Sequence, residues 1–185
     1  MSDNMQLWDS VCKTDPKHTK PAKIGGMSIT AIAPQSQIMS ATKVFGPYGI
    51  AWGFKSIELD YSLVATYDLV VFKGTFFCPK GEFQIINSSK MYMDRAKKMV
   101  DADFAKKIET DAMTKALSKM GFNADVFMGC YDDVKYVNEM KEEFSGPVLD
   151  SNAKAWITTV RSNPESLDQL TDPVFKAFIK KEAGL

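Results

Sequence analysis

The most regular pattern in the chain lies between residues 101 and 120. Phe104, Ile108, Ala112, Ala116, Leu117 and Met120 recur at helical spacing and predict a long amphipathic helix. Asp101 or Asp103 can cap its start, and Gly121 can end it. Pro34 suits the first turn of an earlier helix, running to about Phe45. Ile38, Ala41, Val44 and Phe45 would form its apolar face, and Gly46-Pro47-Tyr48-Gly49 stops it. Between the two helices the period drops to two. Ile50, Trp52 and Phe54 alternate, and then the apolar set becomes Ile57, Leu59 and Tyr61. That change of parity predicts a bulge near Lys55-Ser56. Leu63 to Cys78 reads as a long strand with apolar odd positions: Leu63, Ala65, Tyr67, Leu69 and Val71. Pro79-Lys80-Gly81 is a turn signal. Phe83, Ile85, Met91 and Met93 then share one face of a third strand, which Asn87 and Ser89 interrupt.

The flanking segments are less regular. Residues 14–28, with two Pro and two Gly among several lysines, read as an irregular basic loop. A further helix is expected from Asp133 to Phe144, and Gly146-Pro147 breaks it. Short helices follow around Trp156, Ile157 and Val160, after Pro164, and around Val174, Phe175, Phe178 and Ile179. The expected architecture is α+β. An antiparallel three-stranded β-meander is packed by a long helix, an α-β-β-β-α core, with a short helical C-terminal appendage. The expected division is a main domain at 1–145 and a small helical tail at 146–185.

Composition narrows the class. The chain has 185 residues, 45% hydrophobic and 25% charged, ordinary values for a globular protein. No apolar run approaches the roughly 20 residues of a membrane span. Met1-Ser2-Asp3-Asn4 does not open like a secretory signal. Cys12, Cys78 and Cys130 lie far apart without ligand spacing, which suits a reducing compartment. A cytoplasmic location is therefore expected. The net charge is zero, yet it is unevenly spread. Residues 13–55 and 90–119 are basic, and residues 120–144 are acidic. Such blocks can build a positive groove beside a negative face, although ordinary domains carry them too.

Few residues suggest covalent chemistry. His18 is the one histidine and has no local ligand partner, so neither a structural zinc site nor a histidine-based nucleophile is expected. Gly25-Gly26 precedes no Gly-Lys-Ser/Thr, and no dinucleotide fingerprint is present. No cofactor and no metal are expected. Asp101, Asp103 and Asp132 could hold magnesium in a small nuclease, but acids at helix starts are commonplace. The long helix carries Lys106, Lys107, Lys115 and Lys119, with the last two bordering its apolar stripe. Arg95, Lys97 and Lys98 form a basic knot where strand passes to helix. Such a junction can contact phosphates, with Tyr48, Tyr92 or Trp52 as stacking faces. Core packing is the plainer role for Trp52.

Two stretches carry a resemblance. Glu109 to Phe127, ETDAMTKALSKMGFNADVF, resembles phage single-strand annealing proteins and, more broadly, the Rad-fifty-two-like recombination mediators. Ala41 to Phe54, ATKVFGPYGIAWGF, resembles the helix-turn-strand entry of the same family. The two come in the family's order around a three-strand meander, and the likeness covers roughly residues 30–137. The resemblance implies a homo-oligomeric ring or helical filament with a basic groove. Single-stranded DNA would lie there with its bases exposed, ready to pair with a complementary strand, without ATP and without covalent catalysis. It implies phosphate contacts by Arg95, Lys97 and Lys115, with Lys98, Lys119 and Lys43 in support and Tyr48 in the aromatic-glycine turn. The family's basic pair after Thr-Asp reads Thr114-Lys115 here, and its next basic position is Ser118. Gln35, Ser36 and Gln37 stand where an arginine is expected.

The leading expectation is thus a phage-encoded, ATP-independent annealing protein acting in a host cytoplasm. The alternatives are a magnesium-dependent nuclease and a protein-interaction module without DNA activity. The tail either packs or docks a partner such as a single-strand-binding protein or an exonuclease.

Overall fold

The computed structural model describes residues 3–94, 96–97, 99–147 and 149–185. The chain divides into two compact units, Met1–Val134 and Lys135–Leu185. The expected boundary at Gly146-Pro147 falls inside the second unit. Among the described residues no helix is long and apolar enough to cross a membrane.

The first unit is α+β. It opens with a short helix that the sequence pattern did not suggest, α1 (Gln6–Val11). Residues 14–28 are not an irregular loop. After a single 3-10 turn at Pro16–His18, β1 (Thr19–Ile24) and β2 (Met27–Ile32) pair as an antiparallel hairpin. Ile24 stands opposite Met27, so Gly25-Gly26 is a two-residue loop. Both glycines have positive φ, 58° and 88°, as the turn matching strand twist requires. Pro21 is tolerated because each strand of a two-stranded ribbon is an edge.

Helix α2 (Pro34–Phe45) has Pro34 in its first turn. It buries Ser36, Gln37, Ala41 and Phe45 and leaves Val44 exposed, so the inward face is rotated from the expected one. Gly46 at φ 99° ends it, donating its N–H to the Thr42 carbonyl. Strand β3 (Gly53–Asp60) then pairs with β4 (Leu69–Cys78), with the expected irregularity between Phe54 and Ser56. The long strand is shorter than its pattern. Val64–Tyr67 forms a single helical turn, α3, closed by Asp68 in the left-handed region. Once β4 starts at Leu69, its even positions, Val70, Phe72 and Phe76, turn inward and Lys73 turns out. Burial of two phenylalanines outweighs the odd-position pattern, because register on a pleated strand is all or nothing. Strand β5 (Gly81–Lys90) completes a sheet of order β3-β4-β5 and stops before Met91 and Met93.

Helix α4 (Phe104–Lys119) packs on this sheet. Asp103 at its N-cap makes no side-chain cap bond. Asp101 secures the entry instead, accepting from the Asp103 N–H at 3.1 Å and from Lys107 at 2.6 Å. Ile108, Ala112, Met113, Ala116 and Leu117 join Phe45, Trp52, Phe72, Phe76, Ile85 and Phe122 in the main core. Each large member withdrawn from water contributes about 1.5–3 kcal/mol before chain entropy is charged. Beyond Gly121 a short helix, α5 (Ala124–Phe127), leads to a 3-10 turn at Cys130–Asp132.

The acidic helix α6 (Val134–Ser145) spans the start of the second unit. Helix α7 (Ser151–Ser162), a 3-10 stretch at Pro164–Gln169 and α8 (Pro173–Ala183) follow. Their starts are capped by Asp150, Asn163 and Asp172, each accepting from a backbone N–H. Ala153, Ile157, Val160, Leu167 and Ile179 form a separate core, against which Trp156, Phe175 and Phe178 pack. The tail therefore has a small core of its own.

Candidate nucleic-acid interface

Two clefts of the first unit meet on α4. One, of about 270 Å³, lies between α2 and α4 and is lined by Gln37, Ile38, Tyr48, Lys106, Glu109 and Met113, among others. The second, of about 580 Å³, lies between strand β2, α4 and the segment Val126–Asp132. Asp111 and Asp132 line it, and Ile29, Thr30 and Phe127 supply apolar and hydroxyl surface. Pro34 and Thr114 line both clefts, so the two adjoin as one groove along α4.

The expected contact residues are placed unequally about this groove. Lys115 leaves α4 on its sheet side, where its ammonium donates to Asn87 Oδ1 at 3.2 Å. It stays exposed, and no carboxylate among the described residues pairs with it. One turn earlier, burial pushes the Asp111 carboxyl up, and the charge of Lys115 opposes that shift. Lys119 and Lys43 are exposed. Lys97 sits at φ 55° and gives its ammonium to the Val64 and Ala65 carbonyls at 3.3 and 2.8 Å. Its charge therefore braces α3. Arg95 and Lys98 lie outside the described residues. Trp52 is wholly buried, its indole N–H donating to the Gly46 carbonyl at 3.0 Å, so it offers no stacking face. Tyr48 stands edge-on to Trp52 at 5.0 Å with nearly half of its surface open. Burial, and then the nearby Glu109, raises its phenol above the usual range.

Four other lysines of this unit have carboxylate partners among the described residues. On the outer face of the sheet Lys73 pairs with Asp60 and Glu58, and Lys55 pairs with Glu82. Lys17 pairs with Asp15 and Lys107 with Asp101. Lys20 and Lys23 of the hairpin, Lys43 of α2, and Lys106, Lys115 and Lys119 of α4 have no such carboxylate among the described residues. Lys106 lines the groove itself. Charge blocks in the sequence showed which segments were basic. They could not show which lysines the fold would neutralise, because most partners come from other strands. Lys106, which lines the groove, was not among the expected contact residues.

The acidic side chains weighed for a metal are dispersed. Asp101 is engaged by Lys107, and Asp132 lines the second cleft. Among the described residues no group of three or more His, Cys, Asp or Glu side chains gathers where a metal ion could sit. No protein-family model matches the chain, and no curated protein matches it.

Proposed function

We propose that the protein binds single-stranded DNA along the α4 groove and anneals complementary strands without ATP, as a homo-oligomer. The observation that carries this reading is the partition of lysines. Lys55 and Lys73 on the outer sheet face are neutralised by carboxylates, whereas Lys20 and Lys23 of the hairpin, Lys43 of α2, and Lys106, Lys115 and Lys119 of α4 are left with their charge available. Cations without internal partners release counterions when they meet phosphates, and that release drives single-strand binding. Two features agree with it: the sheet-and-helix order between residues 34 and 119, and the similarity of the 109–127 stretch to annealing proteins. Lys106, which lines the groove, is the leading phosphate contact; Lys115 and Lys119 line neither cleft and, with Lys43, Lys20 and Lys23, would hold the strand where it leaves the groove. Glu109, Asp111 and Asp132 temper the groove's charge, so binding should be modest and strongly salt-dependent.

The test mixes two complementary, end-labelled oligonucleotides with the full chain in chelator and without nucleotide, and follows pairing by energy transfer. Pairing faster than the protein-free rate, suppressed by salt, is the expected result. No acceleration and no strand binding at any protein concentration would overturn the reading. Magnesium-dependent cutting of the strands would favour a nuclease instead.

A further inference from the structure

The α2 wall of the groove holds a group for which the fold provides no partner. Gln37 is only 2% exposed, yet its side-chain NH2 makes no hydrogen bond. Buried polar groups are almost always satisfied, so an exception calls for a cause. Gln37 lines the cleft of about 270 Å³ between α2 and α4. Ile38 and Met113 give that cleft apolar walls, and Tyr48 gives it an aromatic one. Tyr48 is held edge-on by Trp52, so its orientation is fixed before any ligand arrives. Glu109 offers an acceptor and Lys106 an exposed cation on the same lining. The volume falls below the roughly 300–1,000 Å³ of pockets for drug-sized ligands. It suits one flat ring with its sugar and excludes a dinucleotide.

We propose that this cleft takes a single base of the bound strand, its edge against the Gln37 amide and its face against Tyr48, while Lys106 meets the adjoining phosphate. The inference rests on the single-strand reading above and goes beyond it. A strand lying with every base outward leaves the Gln37 amide unpaired; because its NH2 has almost no open surface, an inserted base completes it as the Gln37 side chain turns toward the cleft. A carboxamide carries a donor and an acceptor in one plane, the arrangement that matches a base edge. Stacking on an aromatic ring adds affinity with little preference among bases. One base withdrawn per subunit would also divide the strand into short stretches, each presented for pairing.

The experiment compares two strands of equal length on the full-length protein by fluorescence anisotropy. One is oligothymidylate, and the other is the abasic deoxyribose-phosphate chain. Wild type should prefer the base-bearing strand. Gln37→Leu keeps the side chain's size and removes the amide. It should lose roughly threefold to tenfold in affinity for oligothymidylate, the worth of one hydrogen bond, and nothing for the abasic strand. Its unfolding midpoint should equal or exceed that of wild type, since an unpaired buried donor is gone. A Gln37→Leu protein that binds both strands as wild type does overturns the base site and leaves single-strand binding standing. Failure of wild type to bind either strand overturns the single-strand reading itself. A second measurement needs no variant. A strand carrying 4-thiothymidine, irradiated on the wild-type protein, should crosslink to Tyr48 or Met113. Crosslinks confined to residues outside this cleft would overturn the proposal.

Discussion

Thr14 and Asp125, 111 residues apart, hold each other through two hydrogen bonds. The Thr14 N–H donates to Oδ2 at 2.7 Å and its hydroxyl to Oδ1 at 2.6 Å. Asn123 Nδ2 donates to the same hydroxyl at 2.9 Å, and the Tyr131 hydroxyl donates to the Thr14 carbonyl. Burial, and then the carboxylates of Asp125 and Asp15, raises the Tyr131 phenol far above its usual range, so it remains a donor. Asp125→Ala should therefore destabilise the protein by about 2–3 kcal/mol, because several buried donors lose their acceptor together. Asp125→Asn should cost less. Urea midpoints measure both, and an unchanged midpoint for the alanine variant would refute the role given to this pair.

Gly121 is constrained from two sides. Its φ is 97°, and a Cβ there would lie 2.8 Å from two ring atoms of Trp8. Gly121→Ala should cost about 2 kcal/mol or more, combining left-handed strain with overpacking. Adding Trp8→Ala should restore part of that loss. Thermal unfolding of the two single variants and the double variant gives the coupling. Strict additivity would mean that the close approach of Trp8 does not matter.

Lys115→Gln should weaken single-strand binding with little shift of the unfolding midpoint, since its ammonium makes an exposed hydrogen bond to Asn87 and meets Asp111 only through space. The log–log salt slope should flatten by about 0.7, the share of a single neutralised phosphate. Wild-type affinity and slope in this variant would remove Lys115 from the interface.

Asp60 supplies an acid-sensitive test. Hydrogen bonds from Ser62, and then Lys73 at 3.0 Å, hold its carboxyl far below the usual range. A depressed folded value means stabilisation that is fully present above the unfolded value of about 3.9. That stabilisation is lost as pH falls from there through the folded value. Ser62→Ala and Lys73→Met should each raise the Asp60 titration toward the ordinary range and flatten the acid limb of the stability profile. Carboxyl carbon resonances followed by NMR report the shift directly. An Asp60 titration identical in all three proteins would contradict the geometry.

Legibility in the sequence followed period and punctuation. The α4 stripe and the Pro79–Gly81 turn are local signals, and both survive in the fold. The parity change at Lys55-Ser56 is local too, and it marks a real register shift. The odd-position pattern before Cys78 misled because Val64–Tyr67 turns helically, and the strand then has to present Phe72 and Phe76 inward. The β1–β2 hairpin was written in Ile24-Gly25-Gly26-Met27, a two-glycine loop between apolar residues, but lysines and Pro21 masked the strands. Helix α1 carries little periodicity. It is fixed by distant partners, the Val11 and Cys12 carbonyls receiving the Asn123 and Asp125 N–H groups. The candidate interface was legible only as basic blocks. The pairing of Lys73 and Lys55 across strands, the use of Lys97 on carbonyls and the unpaired Gln37 amide all depend on tertiary neighbours.

The edge-on pair of Tyr48 and Trp52 has an optical consequence. Trp52 is screened from water, with its indole N–H committed to a carbonyl, so its emission belongs at the short-wavelength end of the protein's spectrum. The chain's other two tryptophans, Trp8 and Trp156, are partly open to solvent and emit further to the red. Light absorbed by Tyr48 passes to an indole 5.0 Å away. A ring laid on Tyr48 would intercept that transfer, giving the groove a built-in, label-free signal of its own occupancy.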